Sequence, residues 1–149
     1  MKGDRIGVLH GVNLDQLGRR PPEHYPRTTL AELEVAIGHF ARDLGLIVTF
    51  EQTNHEGEFC EALHSAPETS DALILNPGAW THYSYAIRDA LEIADLPAVE
   101  VHLSAVEERE EWRRQSVLGD LCLARVSGKG VDGYREALEL LARELRGTE

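Results

Sequence analysis

Two arginines and a tyrosine in one loop give the first sign of chemistry in this chain. The loop runs from His10 to Pro26, follows an apolar segment, and contains Arg19, Arg20 and Tyr25. Clustered guanidinium groups attract small anions, and a nearby positive charge favours the phenolate form of a tyrosine, which can then act as a base. The loop therefore indicates an anion site with a basic phenol beside it.

A carboxylate and an imidazole form a second candidate pair. Glu100 and His102 are two residues apart in a segment that favours a strand, so their side chains leave the same face. The carboxylate can hold the imidazole in one tautomer and favour its protonated form, as a general acid requires. A structural contact at a strand end is the alternative, and the pair alone does not decide between the two.

Three further patterns allow both a functional and a structural interpretation. Arg109 and Arg113 are four apart in a predicted helix, where they could clamp a carboxylate or hydroxyls, or form a surface ladder with neighbouring glutamates. His82 and His102 could meet, but no third ligand is evident, so no metal is expected. The run 128–133 matches G-x-G-x-x-G at the last predicted helix. We interpret that run as a tight turn, with a non-catalytic flavodoxin-like binding module as the alternative.

Alternating strands and helices must position these residues. Short apolar segments predict strands at about 5–10, 46–52, 72–76, 97–102 and 121–126. Helical periodicity predicts helices at about 29–44, 56–65, 82–94, 106–115 and 131–146. Five such units favour an α/β fold, a flavodoxin-like three-layer domain with a five-stranded parallel sheet, in one domain over 1–149.

Polar segments follow four of the predicted strands. They span about 13–25, 52–57, 76–82 and 100–104. Ligands bind at the carboxyl ends of the strands in such sheets, so one crevice could collect all four segments. The sequence therefore predicts an active site at this edge.

Composition limits the partners. The chain has 149 residues, with 15 Lys and Arg against 26 Asp and Glu, a net charge of −11. That charge argues against nucleic acid or an anionic membrane and leaves a small-molecule substrate bound where the arginines cluster. No apolar run approaches the roughly 20 residues of a membrane span, and neither cysteine lies in a CxxC motif. These features favour a cytoplasmic protein.

Taken together, these segments resemble the type II 3-dehydroquinate dehydratase family, from about residue 6 to residue 145. The matching motifs are Asn13-Leu14, Leu17-Gly18-Arg19-Arg20, Tyr25, Gln52-Thr53-Asn54-His55-Glu56-Gly57, Asn76-Pro77-Gly78-Ala79, Thr81-His82, Asp89-Ala90, Glu100-Val101-His102-Leu103-Ser104, Arg109-Glu110 and the run from Arg113 to Ser116. Chance agreement at so many ordered positions is implausible.

The resemblance implies a cofactor-independent lyase. It would remove water from 3-dehydroquinate to give 3-dehydroshikimate, by anti elimination through an enolate. Tyr25 would be the base, with Arg20 favouring its phenolate. Asn13 would stabilise the enolate oxygen. His102 would protonate the departing hydroxyl, with Glu100 orienting it.

The resemblance also assigns substrate contacts and an assembly. Asn76 and the segment Leu103-Ser104 would hold the substrate carboxylate, and His82 and Arg113 the ring hydroxyls. Asp89 would reach into a neighbouring subunit's site, in a homododecamer built as a tetramer of trimers.

Several positions depart from the family pattern, and most lie in or near the implied lid, about 15–26. They are His10-Gly11-Val12, Pro21-Pro22, Pro26 and Ala105. None removes a group assigned to chemistry, but proline restricts the backbone of a lid. A diverged relative that dehydrates another cyclic β-hydroxy ketone is therefore the second alternative.

Overall fold

One parallel sheet lies between two layers of helices in the computed structural model, which describes residues 3–21 and 27–147. Its strands are β1, Arg5–His10; β2, Ile47–Gln52; β3, Ala72–Asn76; β4, Ala98–His102; and β5, Ala124–Ser127. The α-helices in these residues are α1, Leu30–Asp43; α2, Glu56–Thr69; α3, Tyr85–Ala94; and α4, Asp132–Arg146. The flavodoxin-like fold predicted from the sequence is confirmed.

Alternation along the strands separates two cores. The strand order is β2-β1-β3-β4-β5, with every pair parallel. Val99 and Val101 pack with α1 and α4, whereas Leu73 and Leu75 pack with α2 and α3. Both faces of the sheet are thus covered, so its central strands contribute functional side chains mainly at their ends.

Helix α1 shows how the local sequence sets an element's limits. Thr29 Oγ1 accepts from Glu32 N–H at 3.2 Å, and Glu32 Oε1 accepts from Thr29 N–H at 3.0 Å, a complete capping box. Leu33 and Ile37 are fully buried on the face toward the sheet. After the helix, Gly45 takes a φ of 73°, which turns the chain toward β2.

The helix predicted at 106–115 is wrong. Two short 3₁₀ turns, Val106–Glu108 and Glu111–Arg113, occupy this segment, with extended backbone at Arg109 between them. Helices in proteins are stabilised mainly by packing an apolar face, and here Val106 is the only buried apolar residue. Arg109 and Arg113 therefore do not share a helical face.

Other boundaries differ by a few residues. Helix α3 begins at Tyr85 rather than at 82, because Ser84 caps it by accepting from Ile87 N–H at 3.1 Å. The segment before it, Gly78–His82, is a 3₁₀ turn that places His82 at the sheet edge. Strand β5 begins at Ala124 rather than at 121, because Gly119–Leu121 forms another 3₁₀ turn.

The described residues contain neither a candidate membrane span nor a candidate metal cluster. Within residues 3–21 and 27–147, no helix has the length and apolar character needed to cross a membrane. Over the same ranges, no group of three or more histidines, cysteines and acidic residues is arranged to hold a metal ion.

Candidate active site

Backbone contacts with β3 and side chains from beyond β2 hold the loop after β1. Gly11 N–H donates to the Asn76 carbonyl at 2.7 Å, and a Cβ at Gly11 would lie only 2.3 Å from the Pro77 carbonyl oxygen. Glycine alone allows this approach. Asn13 follows in a left-handed conformation, with φ of 70°, and its N–H donates to Asn54 Oδ1 at 2.8 Å. These contacts give Asn13 a defined place at the sheet edge.

The end of β3 is equally constrained. Asn76 is buried; its Oδ1 accepts from Gly78 N–H at 3.1 Å, and its Nδ2 lies 3.5 Å from the hydroxyl of Tyr134 on α4. Burial raises the pKa of Tyr134 to about 12, so this phenol is neutral at physiological pH. Gly78 has a φ of 68°, and a Cβ there would lie 2.6 Å from the Val12 carbonyl oxygen. The loops after β1 and β3 therefore pack backbone against backbone.

The predicted carboxylate–imidazole pair is present at the end of β4. His102 Nε2 lies 2.5 Å from Glu100 Oε2. Glu100 is fully buried and also accepts hydrogen bonds from Thr81 Oγ1 at 2.5 Å and Ser116 Oγ at 2.7 Å. The carboxylate is thus surrounded by donors from three separate segments.

These donors keep Glu100 ionised. Burial raises the pKa of this carboxyl, but the hydrogen bond and charge of His102, with the hydroxyls of Thr81 and Ser116, outweigh burial, so its pKa lies below the usual value. An ionised Glu100 must accept from Nε2–H, which fixes the tautomer of the neutral His102 ring. Nδ1 then remains as the nitrogen that can exchange a proton with a molecule in the cleft.

His82 stands beside this pair. Its ring stacks on that of His102 with centroids 6.3 Å apart, and its Nδ1 donates to the Gln115 carbonyl at 2.7 Å. Burial, with the charges of His102, Arg113 and Arg125, lowers the pKa of His82 despite the bond to Gln115. A neutral His82 then presents Nε2 as a hydrogen-bond acceptor.

The turn that carries Arg113 closes one side of the cleft. The Arg113 guanidinium carbon lies 4.2 Å from the centroid of the Trp112 ring, and Arg113 Nε donates to Glu110 Oε1 at 2.8 Å. The Trp112 ring meets the His82 ring edge to face, with centroids 5.2 Å apart. Arg113 and His82 are therefore linked through one aromatic side chain.

The glycine run after β5 supports the segment Leu103-Ser104. Gly128 N–H donates to the Ser104 carbonyl at 3.0 Å, and Gly130 N–H to the Leu103 carbonyl at 3.2 Å. Arg109 Nη1 lies 3.4 Å from Ser104 Oγ. Two of the amides that a dinucleotide site would direct at phosphate are thus used to hold the turn after β4, as expected for a structural role of this run.

A cleft of about 120 Å³ opens where these segments meet. Its lining residues come from the ends of β1, β3 and β4 and from the segments that follow them: Val12, Asn13, Leu14, Arg20, Asn76, Gly78, Ala79, His82, His102, Leu103, Ser104, Val106 and Arg113. A volume of this order holds one small ring. Two arginines line it in a protein of net charge −11, so the cleft suits a small anion.

Comparison with known proteins identifies the family. The sequence model of the family described as dehydroquinase class II matches residues 4–142. The chain belongs to this family. Among curated relatives, the 3-dehydroquinate dehydratase of Syntrophotalea carbinolica is 48% identical over 135 residues, 90% of this chain and 91% of that protein. The 3-dehydroquinate dehydratase of Bacillus subtilis is 44% identical over 140 residues, 94% of this chain and 95% of that protein.

Solved structures of class II dehydroquinases share the fold. The type II dehydroquinase of Butyrivibrio crossotus superposes with a TM-score of 0.89 at 38% identity, covering 93% of this chain and 97% of that one. The enzyme of Propionibacterium acnes gives a TM-score of 0.88 at 39% identity, covering 95% and 97%. The superposed region covers nearly the whole of each chain.

Most of the residues that the dehydroquinase motifs assign to the site meet in the cleft. Those lining it are Asn13, Arg20, Asn76, His82, His102, Leu103, Ser104 and Arg113. Glu100 supports His102 without lining the cleft, and Asp89 lies exposed on α3, away from it. Tyr25 falls in 22–26, outside the described residues.

Three residues that contact Glu100 were not predicted from the sequence as part of the site. Thr81 and Ser116 lie within quoted motifs, but nothing in a single sequence shows that both hydroxyls bond Glu100. Arg125 left a clearer signal, because it is a charged residue in a predicted strand, where burial demands a partner. Its neighbour across the β4–β5 pairing is Glu100.

Proposed function

We propose that this protein dehydrates 3-dehydroquinate to 3-dehydroshikimate without a cofactor. The observation that carries the proposal is the buried Glu100–His102 pair, in which His102 lines a small basic cleft. The remaining polar side chains of that cleft are ones to which the dehydroquinase motifs assign a catalytic or substrate-binding role. The family match and the names of the curated relatives support the same reaction.

His102 acts as the general acid. When its ring is protonated, Nε2–H bonds ionised Glu100, and Nδ1–H can pass its proton to the departing hydroxyl at C1. The C1–O bond breaks as the enolate electrons form the C1=C2 double bond, and the hydroxyl leaves as water. Glu100 stabilises the imidazolium before this step and keeps the ring oriented.

Tyr25 acts as the base. As the phenolate, it removes the proton from C2, next to the ketone, on the face opposite the leaving hydroxyl. Arg20, which lines the cleft a few residues before Tyr25, favours the phenolate by its charge, since an unperturbed tyrosine has a pKa of about 10. Asn13 stabilises the enolate oxygen that forms.

The rest of the cleft orients the ring. Asn76 and the segment Leu103-Ser104 hold the carboxylate, while His82 and Arg113 hold ring hydroxyls. Arg113 and the acceptor Nε2 of His82 suit hydroxyl groups, which both donate and accept. The segment at about 15–26 acts as a lid that excludes water while the enolate exists.

Assembly and compartment follow from the family resemblance. We propose a homododecamer, a tetramer of trimers, in the cytoplasm. Exposed Tyr85, Asp89 and Ile93 recur every four residues on α3 and so share one face. An apolar face that surrounds a carboxylate fits contact with a second subunit, where Asp89 would reach the neighbouring site.

The test is formation of the conjugated enone from 3-dehydroquinate, followed by its near-ultraviolet absorbance. Purified protein treated with a chelator should produce it at an undiminished rate, because no step requires a metal. A folded protein that leaves 3-dehydroquinate unchanged would contradict the proposal. Dehydration of another cyclic β-hydroxy ketone at a tenfold higher kcat/KM would instead favour the diverged relative.

Stereochemistry tests the elimination itself. Substrate carrying deuterium at one of the two C2 positions should lose the hydrogen on the face opposite the C1 hydroxyl. Product analysis by mass spectrometry distinguishes the two positions. Loss of the hydrogen on the same face as the hydroxyl would exclude anti elimination.

A further inference from the structure

Arg125 on β5 lies directly against the Glu100–His102 pair. It pairs in register with Glu100 across the β4–β5 boundary, and its Nε lies 3.4 Å from Glu100 Oε2. That oxygen is the one that His102 Nε2 and Thr81 Oγ1 contact at 2.5 Å. A guanidinium thus stands next to the buried carboxylate on which the imidazole depends.

The other end of the same guanidinium holds the turn that carries Arg113. Arg125 Nη1 donates to the Arg114 carbonyl at 2.9 Å, and Nη2 to the Arg113 carbonyl at 3.4 Å. These two bonds direct Nε toward Glu100. Nε is buried and has no aligned hydrogen-bond partner among the residues that the structure describes, so its contact with Glu100 is an ion pair. One planar side chain therefore spans from the acid pair to the turn beside the cleft.

The charge of Arg125 acts on several groups around His102. Burial lowers the pKa of His82, and the charges of His102, Arg113 and Arg125 lower it further. Burial raises the pKa of Glu107, but hydrogen bonds and the charges of Arg125 and His102 bring it below its usual value. The charge effect on His82 is strengthened because this side chain is buried. The ionisable groups around the pair, from the separate elements that pack against it, are Arg125, His82, Arg113, Glu107 and Cys122.

We propose that Arg125 is a positioning residue for the dehydration: its charge stabilises the ionised form of Glu100 beside His102, and its planar guanidinium fixes the turn that carries Arg113. The kinetic part of this inference rests on the proposed function, but the electrostatic part does not. Arg125 does not line the cleft, so it acts only through Glu100, His102 and Arg113.

Two substitutions separate charge from shape. Arg125→Lys keeps the positive charge and loses the planar fork, whereas Arg125→Met removes both while keeping an unbranched side chain. Arg143→Met, at an exposed position on α4, is the matched control for loss of one arginine. Circular dichroism and thermal unfolding establish that each variant is folded.

The first readout is the titration of Glu100, followed by NMR of the carboxyl carbon in protein with isotope-labelled glutamate. Without the nearby cation the ionised carboxylate is less stabilised, so its midpoint should rise by about one pH unit in Arg125→Met. Arg125→Lys and Arg143→Met should leave it within about 0.3 unit. An unchanged midpoint in folded Arg125→Met would overturn the electrostatic role.

The second readout is the kinetics of dehydration. KM should rise about tenfold in both Arg125 variants, because each loses backbone bonds of the Arg113 turn. The acidic limb of the kcat–pH profile, which requires ionised Glu100, should move to higher pH only in Arg125→Met. A KM within twofold of wild type in folded Arg125→Lys would overturn the positioning role. If wild type itself makes no enone, the proposed function fails, and the NMR titration still decides the electrostatic role of Arg125.

Discussion

Glu100 is the buried anion on which the proposed acid chemistry depends. Both of its oxygens have partners, because Oε2 contacts His102 Nε2 and Thr81 Oγ1 and Oε1 accepts from Ser116 Oγ. The side chain has no exposed surface. A charge in such a place is costly unless every oxygen is satisfied, which is the case here. The same arrangement that stabilises the carboxylate therefore also orients the imidazole.

Replacing this carboxylate with an amide tests its role. Glu100→Gln keeps the size of the side chain and an oxygen acceptor for the hydroxyls, but removes the charge that stabilises protonated His102. We expect kcat to fall about 100-fold with the fold intact, a typical contribution of general acid catalysis. Steady-state kinetics with the exposed Glu51→Gln as control measures this effect. A fall of less than threefold would show that the pair is only structural.

His10 gives a prediction about acid stability. Its side chain is fully buried and stacks on Phe50. Nε2 is 3.1 Å from Glu34 Oε2, but within the described part of the chain neither ring nitrogen has an aligned hydrogen-bond partner. Burial lowers the pKa of His10 to about 4, below the roughly 6.5 of an unfolded chain. The unfolded state therefore binds more protons than the folded state over this interval.

As the pH falls from about 6.5 to about 4, His10 should remove about 3 kcal/mol from the free energy of unfolding, at about 1.4 kcal/mol for each pKa unit. Its contribution is fully present above pH 6.5. Glu34, whose pKa burial raises, acts in the opposite direction. Denaturant unfolding of wild type and His10→Asn across this range should show a shallower pH slope in the variant. Exposed His39→Asn should keep the wild-type slope, and an equal slope in all three proteins would refute the assignment.

Contacts between side chains could be predicted from the sequence where both residues lie close together in one strand. Two-residue spacing on a strand was sufficient to predict that Glu100 contacts His102. The contacts of Glu100 with Thr81, Ser116 and Arg125 depend on how three other segments pack, which single-sequence patterns do not encode. Arg125 in particular required the register of β5 against β4.

Among the elements, the turns after β1 and β3 determine the cleft more than the helices do. Gly11 and Gly78 allow the two turns to touch through their backbones. A Cβ at Gly11 would clash with the Pro77 carbonyl, and a Cβ at Gly78 would clash with the Val12 carbonyl. The order and type of the strands were predictable from apolar runs. The segment at 106–115 was not, because its residues favour a helix individually but provide no apolar face.

Gly11→Ala tests the contact between these turns. The added Cβ would lie 2.3 Å from the Pro77 carbonyl, so the turns must separate, at a cost of about 2–3 kcal/mol in the free energy of unfolding. Asn13 would move with the turn, and kcat/KM should fall at least tenfold. Gly38→Ala in α1, where a Cβ has nothing within 4 Å, should instead stabilise the fold by about 0.5–1 kcal/mol. Denaturant unfolding with equal effects of both substitutions would contradict the close approach.

For the whole molecule, the exposed face of α3 is the feature that the isolated chain does not explain. Ile93 is 68% exposed and Tyr85 63% exposed, on the same face as Asp89. Apolar side chains exposed together commonly mark a contact with another protein. Asp89 does not line the cleft of its own chain, and the role proposed for it is in a neighbouring subunit.

Ile93→Glu should therefore disrupt the assembly. Wild type should scatter light as a dodecamer, whereas the variant should give smaller species with reduced turnover, because a buried charge at the contact is unfavourable. His39→Glu, an exposed site on α1 across the sheet, introduces the same charge and should leave mass and activity unchanged. A monomeric wild type with full activity would contradict both the assembly and the role of Asp89.

The most direct test is the rate of enone formation from 3-dehydroquinate by wild type, Tyr25→Phe and Tyr83→Phe, measured side by side. Tyr83 is 57% exposed and provides the matched loss of a phenol. Wild type and Tyr83→Phe should turn over at rates within about twofold of each other, and Tyr25→Phe should be slower by at least about 1,000-fold, since the general base is removed. Folded wild type that forms no enone, or Tyr25→Phe that forms it at the wild-type rate, would contradict the account.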